Sequence, residues 1–449
     1  MGDGARGLSL FALSCYSGYI GLFSAREKDF FSRQQTTNRY PATTTLAVPY
    51  SKKSIGKKTS IIIMYSSRLF IFLQILFAVY FALELPRVAS FVAENHSRRQ
   101  PIARWVASKD TDASTKGFFW DFQGHSCYAE VAEPTTIDPK KPVALLIHGF
   151  ACSTVYWRET KAYLNDAGYT VHLVDLLGQG KSSKPGRNDT VHYSIDLWAK
   201  MVDEYAHRHM DLDDSGVVLV GNSLGSVVAL SAATGDCYSN DQDSDNQPYL
   251  ASRVKGLCFF NCGIGMNVQN AVKVIESKWL KSIVAALFAV LNFLIFNNKP
   301  LLTYVIDNQV SKETLRNALL NLYSFAEDPE SKVDDELVNS FLDPVVNDST
   351  EKVVDVLSQI YTNDAGTPPM EMHTKYLSSK ETQLPIHLIW GDQDPIAPIT
   401  GDTGRFYSKL ATVPGSGVTL DLIQDAGHIP FDERPECNVG FIKWLEENF

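Results

Sequence analysis

From Gly117 onward, short apolar runs alternate with segments in which apolar residues recur at helical spacing. The runs 142–149, 170–178 and 217–221 are almost continuously apolar, which is typical of strands buried on both faces of a parallel sheet. The other predicted strands are 254–262, 384–391 and 418–427, and the predicted helices include 196–210, 223–234 and 442–449. This alternation predicts an α/β fold with a mostly parallel, twisted sheet and helices on both faces.

Between residues 265 and 379 the alternation gives way to a mainly helical pattern. Because this stretch is too long for a loop between strands, we expect a helical cap inserted into the core. Its segment 279–296 is apolar all round apart from Lys281 and Asn292, which predicts a helix buried between other cap helices. The alternatives are an apolar lid for a long-chain or prenyl-type substrate, or a surface that touches a membrane. The predicted core is 117–264 with 380–449, and the predicted cap is 265–379.

Charge separates the beginning of the chain from the rest. Residues 1–100 contain 13 of the 41 basic residues and 5 of the 51 acidic residues. The remaining 349 residues contain 28 basic and 46 acidic residues. An acidic body repels phosphates, so we expect no nucleic-acid partner.

Residues 1–90 are predicted to be a targeting region. After Met64 come the basic Arg68, an apolar run from Leu69 and small residues before Phe91, which is the order of parts in a signal peptide. The alternative is an N-terminal membrane anchor, although two polar residues interrupt the apolar run and shorten it for a span.

Residues 91–116 form a basic, hydroxylated linker with the character of a transit peptide. The join VAS-FVA resembles the two-part plastid presequences of algae whose plastids lie inside membranes derived from the endoplasmic reticulum. This resemblance implies a plastid location, with secretion or anchoring in the endoplasmic reticulum membrane as alternatives.

The apolar run at 217 stops at Gly221-Asn222-Ser223-Leu224-Gly225 and then resumes. A strand, G-x-S-x-G and a helix in this order form a nucleophile elbow. Gly221 and Gly225 are required because the tight turn leaves no room for side chains, and the strained serine exposes its hydroxyl. Ser223 is therefore the predicted nucleophile.

A serine hydroxyl needs a general base, and the base needs an acid that orients it. Three histidines follow Ser223 in the chain: His373 in the predicted cap, His387 inside a predicted strand, and His428 in a loop after a strand. A base belongs in such a loop, so His428 is the candidate.

Two aspartates follow the strand 384–391, and either could be the acid. Asp394 is favoured, because Asp392 comes directly after the turn glycine and is expected to satisfy the backbone of the turn.

The oxyanion formed during acyl transfer needs two N–H donors. The predicted donors are Leu224, after the nucleophile, and Phe150, in the loop after the strand 142–149. His148 in that loop could serve as a second base, but we expect it to brace the loop by hydrogen bonds, and we expect Asp175 to fix a turn. The residues predicted to support the site are His148, Gly149, Gly221, Asn222, Gly225 and Asp175.

These motifs together resemble the α/β-hydrolase superfamily over residues 117–449. The motifs are HGF (148–150), D-x-x-G-x-G-x-S (175–182), GNSLG (221–225), GDQDP (391–395) and GH (427–428). The resemblance implies a triad of Ser223, Asp394 and His428 below a cap. A serine at the elbow favours ester, thioester or carbon–carbon hydrolysis over the chemistry of relatives with an aspartate there. No metal or other cofactor is expected, since C-x-x-C, H-E-x-x-H and a G-x-G-x-x-G after a strand are lacking.

A narrower likeness covers DLLGQGKSS, YSIDLWAKMVDEY, WGDQDPIAPITG and DERPE. These stretches resemble plastid hydrolases that include pheophytinase, which implies a chlorophyll-derived pigment ester. We therefore expect a serine esterase acting on a small-molecule lipophilic ester through an acyl-enzyme. The alternatives are a catalytically silent scaffold that binds a small molecule or partner, and a perhydrolase or carbon–carbon hydrolase with the same triad.

Overall fold

The computed structural model describes residues 114–449 except 213, 240–247, 268, 274, 276 and 379–383. The expectations for residues 1–90 and for most of 91–116 lie outside the described residues. Within them, eight strands form one sheet in the order β1-β2-β4-β3-β5-β6-β7-β8. The strands are β1 Ser114–Phe122, β2 His125–Glu133, β3 Val143–Ile147, β4 Val171–Val174, β5 Val217–Asn222, β6 Val254–Phe260, β7 Ile386–Gly391 and β8 Val418–Ile423.

The sheet begins with an antiparallel hairpin and is parallel from β4 to β8. β1 pairs with β2 and β2 with β4 in antiparallel register, whereas the pairs that follow are parallel. β1 starts three residues before the predicted core boundary of 117, with Ser114 opposite Glu133. Main-chain pairing continues there because it does not require apolar side chains.

Several predicted strands end earlier than the apolar runs that indicated them. The run 170–178 is a strand only to Val174, and the run 254–262 only to Phe260. The residues beyond these points leave the sheet at its carboxyl edge and form the loops that surround the site. Apolar character alone does not mark this boundary, because those loops are also buried.

The helices outside the sheet follow the predicted alternation. In the described residues the first core α-helices are α1 Arg158–Asp166, α2 Ile195–His209 and α3 Leu224–Thr234. The cap α-helices are α4 Gln269–Lys273, α5 Lys278–Leu291, α6 Lys299–Gln309, α7 Lys312–Leu322, α8 Pro329–Lys332, α9 Asp335–Val346, α10 Thr350–Thr362 and α11 Pro369–Tyr376. The last core α-helices are α12 Asp402–Ala411, α13 Pro430–Glu433 and α14 Cys437–Asn448. Local signals set these boundaries. For example, Ser194 caps α2 by accepting a hydrogen bond from the Leu197 N–H at 3.0 Å.

Both faces of the sheet are covered. Leu145 and Ile147 of β3 pack in one apolar cluster with Trp198 of α2, while Ala144 and Leu146 pack in a second cluster on the other face. Neighbouring residues of a strand point to opposite faces, so a continuously apolar strand serves both clusters. Each fully buried large apolar side chain stabilises the fold by about 1.5–3 kcal/mol.

The segment between β6 and β7 is mainly helical. Its helices α6 and α10 pack through the cluster Leu302, Ile306, Val353 and Val354. The expectation that the apolar segment 279–296 is buried between other helices is wrong. Helix α5 continues as a π-helix over Asn292–Phe296, and the two together expose large apolar side chains, because the cap packs against one side of them only.

Candidate active site

Ser223 lies at the sharp junction between β5 and α3. Its backbone has φ 53° and ψ −119°, a strained conformation for a residue with a Cβ. The Ser223 N–H donates to the Phe260 carbonyl at 3.1 Å, and the Ser223 carbonyl accepts from the Gly263 N–H at 3.0 Å. The strained residue is thus held at both ends by β6 and the chain that follows it, while the residue itself is only half-buried.

Steric contacts account for both elbow glycines. A Cβ on Gly221 would overlap the Ser226 nitrogen, and a Cβ on Gly225 would overlap the Ile147 carbonyl oxygen. These obstacles are backbone atoms, which cannot rotate away, so neither position accepts a side chain without moving the elbow.

Asp394 and His428 meet at the carboxyl edge of the sheet. The His428 Nδ1–Asp394 Oδ2 distance is 2.8 Å. The other carboxylate oxygen of Asp394 accepts hydrogen bonds from the N–H groups of Ile396 at 2.7 Å and Ala397 at 3.1 Å. Asn261 donates its Nδ2 to Asp394 Oδ2 at 2.5 Å. Four donors therefore surround a fully buried carboxylate.

These donors keep Asp394 ionised. Burial raises the pKa of the Asp394 carboxyl, but the charge and hydrogen bond of His428, together with Asn261 and the Ile396 N–H, outweigh burial and lower the pKa below its ordinary value. An ionised acceptor holds the proton of His428 on Nδ1. The Nε2 atom of the neutral ring is then the proton acceptor.

Asn222 links the histidine loop to the elbow. Its Nδ2 donates to the His428 carbonyl at 3.2 Å and to the Phe260 carbonyl at 3.0 Å. The structure thus joins Asp394 and His428 directly and ties the His428 backbone to the residue before Ser223. The hydrogen bonds of the described residues do not include one between the Ser223 hydroxyl and the His428 ring.

The loop after β3 packs against the elbow. A Cβ on Gly149 would lie 3.4 Å from the Ser223 Cβ and 3.1 Å from Asn222 Oδ1. The absence of a side chain at Gly149 permits this approach. Phe150 follows in this loop and Leu224 follows Ser223, so both predicted oxyanion donors belong to segments that adjoin Ser223.

His148 and Asp175 brace the loops around the site. His148 Nε2 accepts the Leu176 N–H at 3.0 Å and its Nδ1 donates to the Gly149 carbonyl at 2.7 Å, so both ring nitrogens are occupied. Burial lowers the pKa of His148 to about 4. Asp175 accepts the N–H groups of Thr154 and Lys181, each at 2.7 Å, and burial raises its pKa to about 7.

The sequence profile of the Alpha/beta hydrolase family matches residues 144–436, which is more than half of the chain. The chain belongs to the alpha/beta hydrolase family. The fold class predicted from the sequence is therefore confirmed, and family membership supports a hydrolytic function.

Relatives of this hydrolase include bacterial and plant proteins. It is 25% identical over 300 residues to the uncharacterized hydrolase YugF of Bacillus subtilis (strain 168), which covers 67% of this chain and 88% of the relative. It is 31% identical over 135 residues to the Arabidopsis thaliana protein Probable lysophospholipase BODYGUARD 3, which covers 29% of this chain and 26% of the relative. Among solved structures, a probable hydrolytic enzyme of Pseudomonas aeruginosa PAO1 has a TM-score of 0.49 and 20% identity, covering 76% of this chain and 95% of that one.

The other two histidines considered as the general base, His387 and His373, lie apart from the Asp394–His428 pair. His387 is inside β7, where its Nδ1 lies 2.8 Å from Thr419 Oγ1. His373 is buried in α11 with its ring edge against Phe406, and burial lowers its pKa to about 4. Over residues 114–449, gaps excepted, no group of three or more His, Cys, Asp or Glu side chains is arranged to hold a metal ion.

Three residues of the site in this hydrolase are not predicted from the sequence. Asn261 binds Asp394, and it also accepts the Gly391 N–H at 3.2 Å and donates to the Gly427 carbonyl at 3.2 Å. The Tyr156 hydroxyl accepts the Gly149 N–H at 2.8 Å. Glu433 accepts the Gly427 N–H at 2.5 Å, and burial raises its pKa to about 7.

A sequence signal exists for one of these three residues. Asn261 is the first polar residue after the apolar β6, at the sheet edge where parallel strands of α/β folds carry their sites. Tyr156 and Glu433 have no comparable signal, because each lies within a helical turn of ordinary composition.

Proposed function

We propose that this hydrolase cleaves a lipophilic carboxylic ester, with Ser223 as nucleophile, His428 as general base and Asp394 as the acid that orients it. The observation that carries the proposal is the 2.8 Å hydrogen bond between His428 Nδ1 and the buried Asp394, at the same sheet edge as a strained elbow serine. A buried, ionised acid bound to a histidine supports base catalysis by the far ring nitrogen.

In the proposed mechanism the Ser223 oxygen attacks the ester carbonyl carbon while His428 Nε2 takes the hydroxyl proton. The N–H groups of Phe150 and Leu224 stabilise the oxyanion. The tetrahedral intermediate collapses to an acyl-enzyme as His428 returns the proton to the leaving alcohol. Water then attacks the acyl carbon and gives a proton to His428. The bond between the acyl carbon and the Ser223 oxygen breaks, His428 returns the proton to that oxygen, and the acid product leaves. The Ser223–His428 hydrogen bond is expected to tighten when substrate binds.

Aromatic contacts support a lipophilic substrate. Phe150 lies edge-on against Tyr361 with ring centroids 5.7 Å apart, and Tyr361 stacks on Phe296 of the cap at 3.9 Å. An apolar wall beside the oxyanion loop favours an ester with a large apolar group. Within this class we propose a chlorophyll-derived pigment ester, supported by the likeness to pheophytinase-type plastid hydrolases. An acyl lipid is the competing substrate, supported by the name of the plant relative.

A plastid location is part of the proposal, and its support is the leader sequence alone. The signal-like segment after Met64 and the join before Phe91 are the features that carry it. Import of a fluorescent fusion of residues 1–116 tests this part independently of the chemistry.

The chemistry is tested with a fluorophosphonate probe and a substrate panel. We expect the wild type to be labelled and Ser223→Ala to be unlabelled. Ser231→Ala is the matched control, because this buried serine lies in α3, the helix that begins directly after Ser223, and its loss should leave labelling intact. A wild type that is not labelled would indicate a silent scaffold.

The panel contains pigment esters, acylglycerols, thioesters, peroxide with a short-chain acid, and a carbon–carbon hydrolase substrate. We expect turnover of a lipophilic ester to exceed turnover of every other class. Preference for peracid formation or carbon–carbon cleavage would reject the proposed ester substrate while leaving the triad in place.

A further inference from the structure

The apolar cap helix formed by α5 and the π-helical turn, residues 278–296, has one exposed face. Among the described residues this is the one helix that is long and apolar enough, by length and composition, to cross a membrane. Trp279 is 68% exposed and Phe293 is 71% exposed, and Ile283 and Val290 lie between them. Their spacing places all four on one side of a helix. A continuous apolar stripe therefore faces outward.

The opposite side of the helix is fastened to the protein. Leu280, Val284 and Leu287 are half-buried, at positions that share the inner side. Asn292 donates to the Tyr361 carbonyl at 3.4 Å, and Phe296 stacks on the Tyr361 ring. A spanning helix would have lipid on all sides, whereas this helix can offer only its outer face. The geometry therefore fits a helix that lies in the plane of a membrane surface.

The charges around the outer face favour an anionic surface. No Asp or Glu occurs between residues 277 and 306, although acidic residues outnumber basic ones after residue 100. Lys278 is exposed next to Trp279, at the beginning of the helix. Tryptophan prefers the boundary between headgroups and acyl chains, and lysine extends its ammonium group towards the phosphates. If the same face of a second molecule covered this one, residues 277–306 of that molecule would provide no carboxylate to pair with Lys278.

We propose that the outer face of helix 278–296 docks the hydrolase onto an anionic phospholipid bilayer, with Trp279, Ile283, Val290 and Phe293 at the boundary between headgroups and acyl chains. The docking surface does not depend on the proposed reaction. If both hold, the contacts from Phe296 through Tyr361 to Phe150 place the docked face next to the oxyanion loop.

The test measures the fluorescence of Trp279 in the full chain with vesicles of phosphatidylcholine and phosphatidylglycerol. The emission of Trp279 is the difference between the wild type and Trp279→Phe. We expect this emission to shift to the blue on addition of vesicles and to be quenched when the acyl chains are brominated. Lys278→Ala should raise the lipid concentration needed for quenching about fivefold.

Two variants serve as controls. Phe119 is 60% exposed on the edge strand β1, outside the docking face. Phe119→Trp in the Trp279→Phe background therefore places an exposed tryptophan away from that face. We expect brominated lipid not to quench the emission of this tryptophan. The double variant Ile283→Asp, Phe293→Asp should lose the quenching of Trp279, and because both side chains are exposed it should fold normally. Simple co-sedimentation is not decisive, since the apolar run after Leu69 would bind vesicles in every variant.

Unchanged Trp279 emission in the presence of vesicles would overturn the proposal. A blue shift that depends on protein concentration without lipid, with dimers in analytical ultracentrifugation that the double variant lacks, would instead assign the face to a second copy. Fluorophosphonate labelling of the same samples reports the catalytic proposal separately. Labelled protein without quenching rejects the docking alone, and quenching without labelling rejects the reaction alone.

Discussion

The Tyr156 hydroxyl donates to the Asn222 side-chain oxygen at 2.8 Å, across 66 positions of the chain. The same hydroxyl accepts the Gly149 N–H, and the amide of Asn222 donates to the His428 carbonyl. One buried chain of hydrogen bonds therefore connects the oxyanion loop, the elbow and the histidine loop. Buried networks of this kind hold groups in fixed positions because an unpaired member is costly.

Replacing Tyr156 with phenylalanine should loosen all three segments. The change leaves the Gly149 N–H and the Asn222 oxygen without this partner, so the free energy of unfolding should fall by about 1–3 kcal/mol. The value of kcat should fall by up to about 10²-fold, which is the cost of misplacing a catalytic group by about 1 Å. Urea unfolding and steady-state kinetics measure the two effects.

Tyr205→Phe is the matched control for this prediction. Tyr205 is also fully buried, and its hydroxyl lies 2.9 Å from His172 Nδ1, a contact outside the site. We expect a similar loss of stability with an unchanged kcat. Equal kcat values for Tyr156→Phe and the wild type would remove the positioning role.

Replacing Asp394 with asparagine should nearly abolish turnover. The amide cannot accept from four donors at once, and it favours the wrong tautomer of His428, so kcat should fall by about 10⁴-fold. Asp392 is the other aspartate that the sequence allows as the acid, and Asp392→Asn should retain most of the activity. The assignment is reversed if the asparagine at 392 inactivates the enzyme and the one at 394 does not.

Asn261→Asp should change the pH dependence of kcat/KM. Asn261 has φ 47°, which aspartate tolerates nearly as well as asparagine. The new carboxylate would lie against Asp394 Oδ2, and two adjacent carboxyl groups share a proton. Asp394 then ionises only at higher pH, so the acidic limb of the profile should move upward.

Asn261→Gly separates charge from the loss of a donor. Glycine also accepts the positive φ but adds no carboxylate, so the acidic limb should move less than in the aspartate variant. A profile for Asn261→Asp that superimposes on the wild type would show that this residue does not tune Asp394.

Glu433→Gln should alter stability in a pH-dependent way. The pKa of Glu433 is raised by burial from its ordinary 4.5 to about 7. Between these two pH values the folded state keeps the proton on Glu433, whereas the unfolded state has lost it. The stability from this proton is complete below the ordinary pKa of 4.5 and is lost as the pH rises from there to about 7. Glutamine carries no charge, and the Glu433 Oε1 has no hydrogen-bond partner among the described residues that it would lose.

We therefore expect Glu433→Gln to match the wild type at about pH 4 and to exceed its free energy of unfolding at about pH 8 by on the order of 2 kcal/mol. Denaturant unfolding at the two pH values measures the difference. Equal gains at both values would indicate a packing effect and not a proton linkage.

Much of the fold follows from local pattern. The continuous apolar strands, the glycines of the elbow and the loop position of His428 each depend on neighbours within a few residues. The family match confirms the fold class that these patterns predict. The triad itself stays a prediction, although the structure joins two of its members at 2.8 Å.

The contacts that hold the site could not be predicted from the sequence, because they join distant parts of the chain. Asn261 and Asp394 are 133 positions apart, and Asn222 and His428 are 206 apart. Hydrogen-bond partners across such separations depend on which loops the sheet order brings to one edge.

What the sequence alone determined is the set of groups with local requirements: the strained serine between two glycines, the buried strands and the apolar helix at 279–296. Only the tertiary structure decided which polar groups meet and which side of that helix remains exposed. Backbone preference and hydrophobicity are properties of short segments, whereas burial and pairing depend on the atoms that other segments bring alongside.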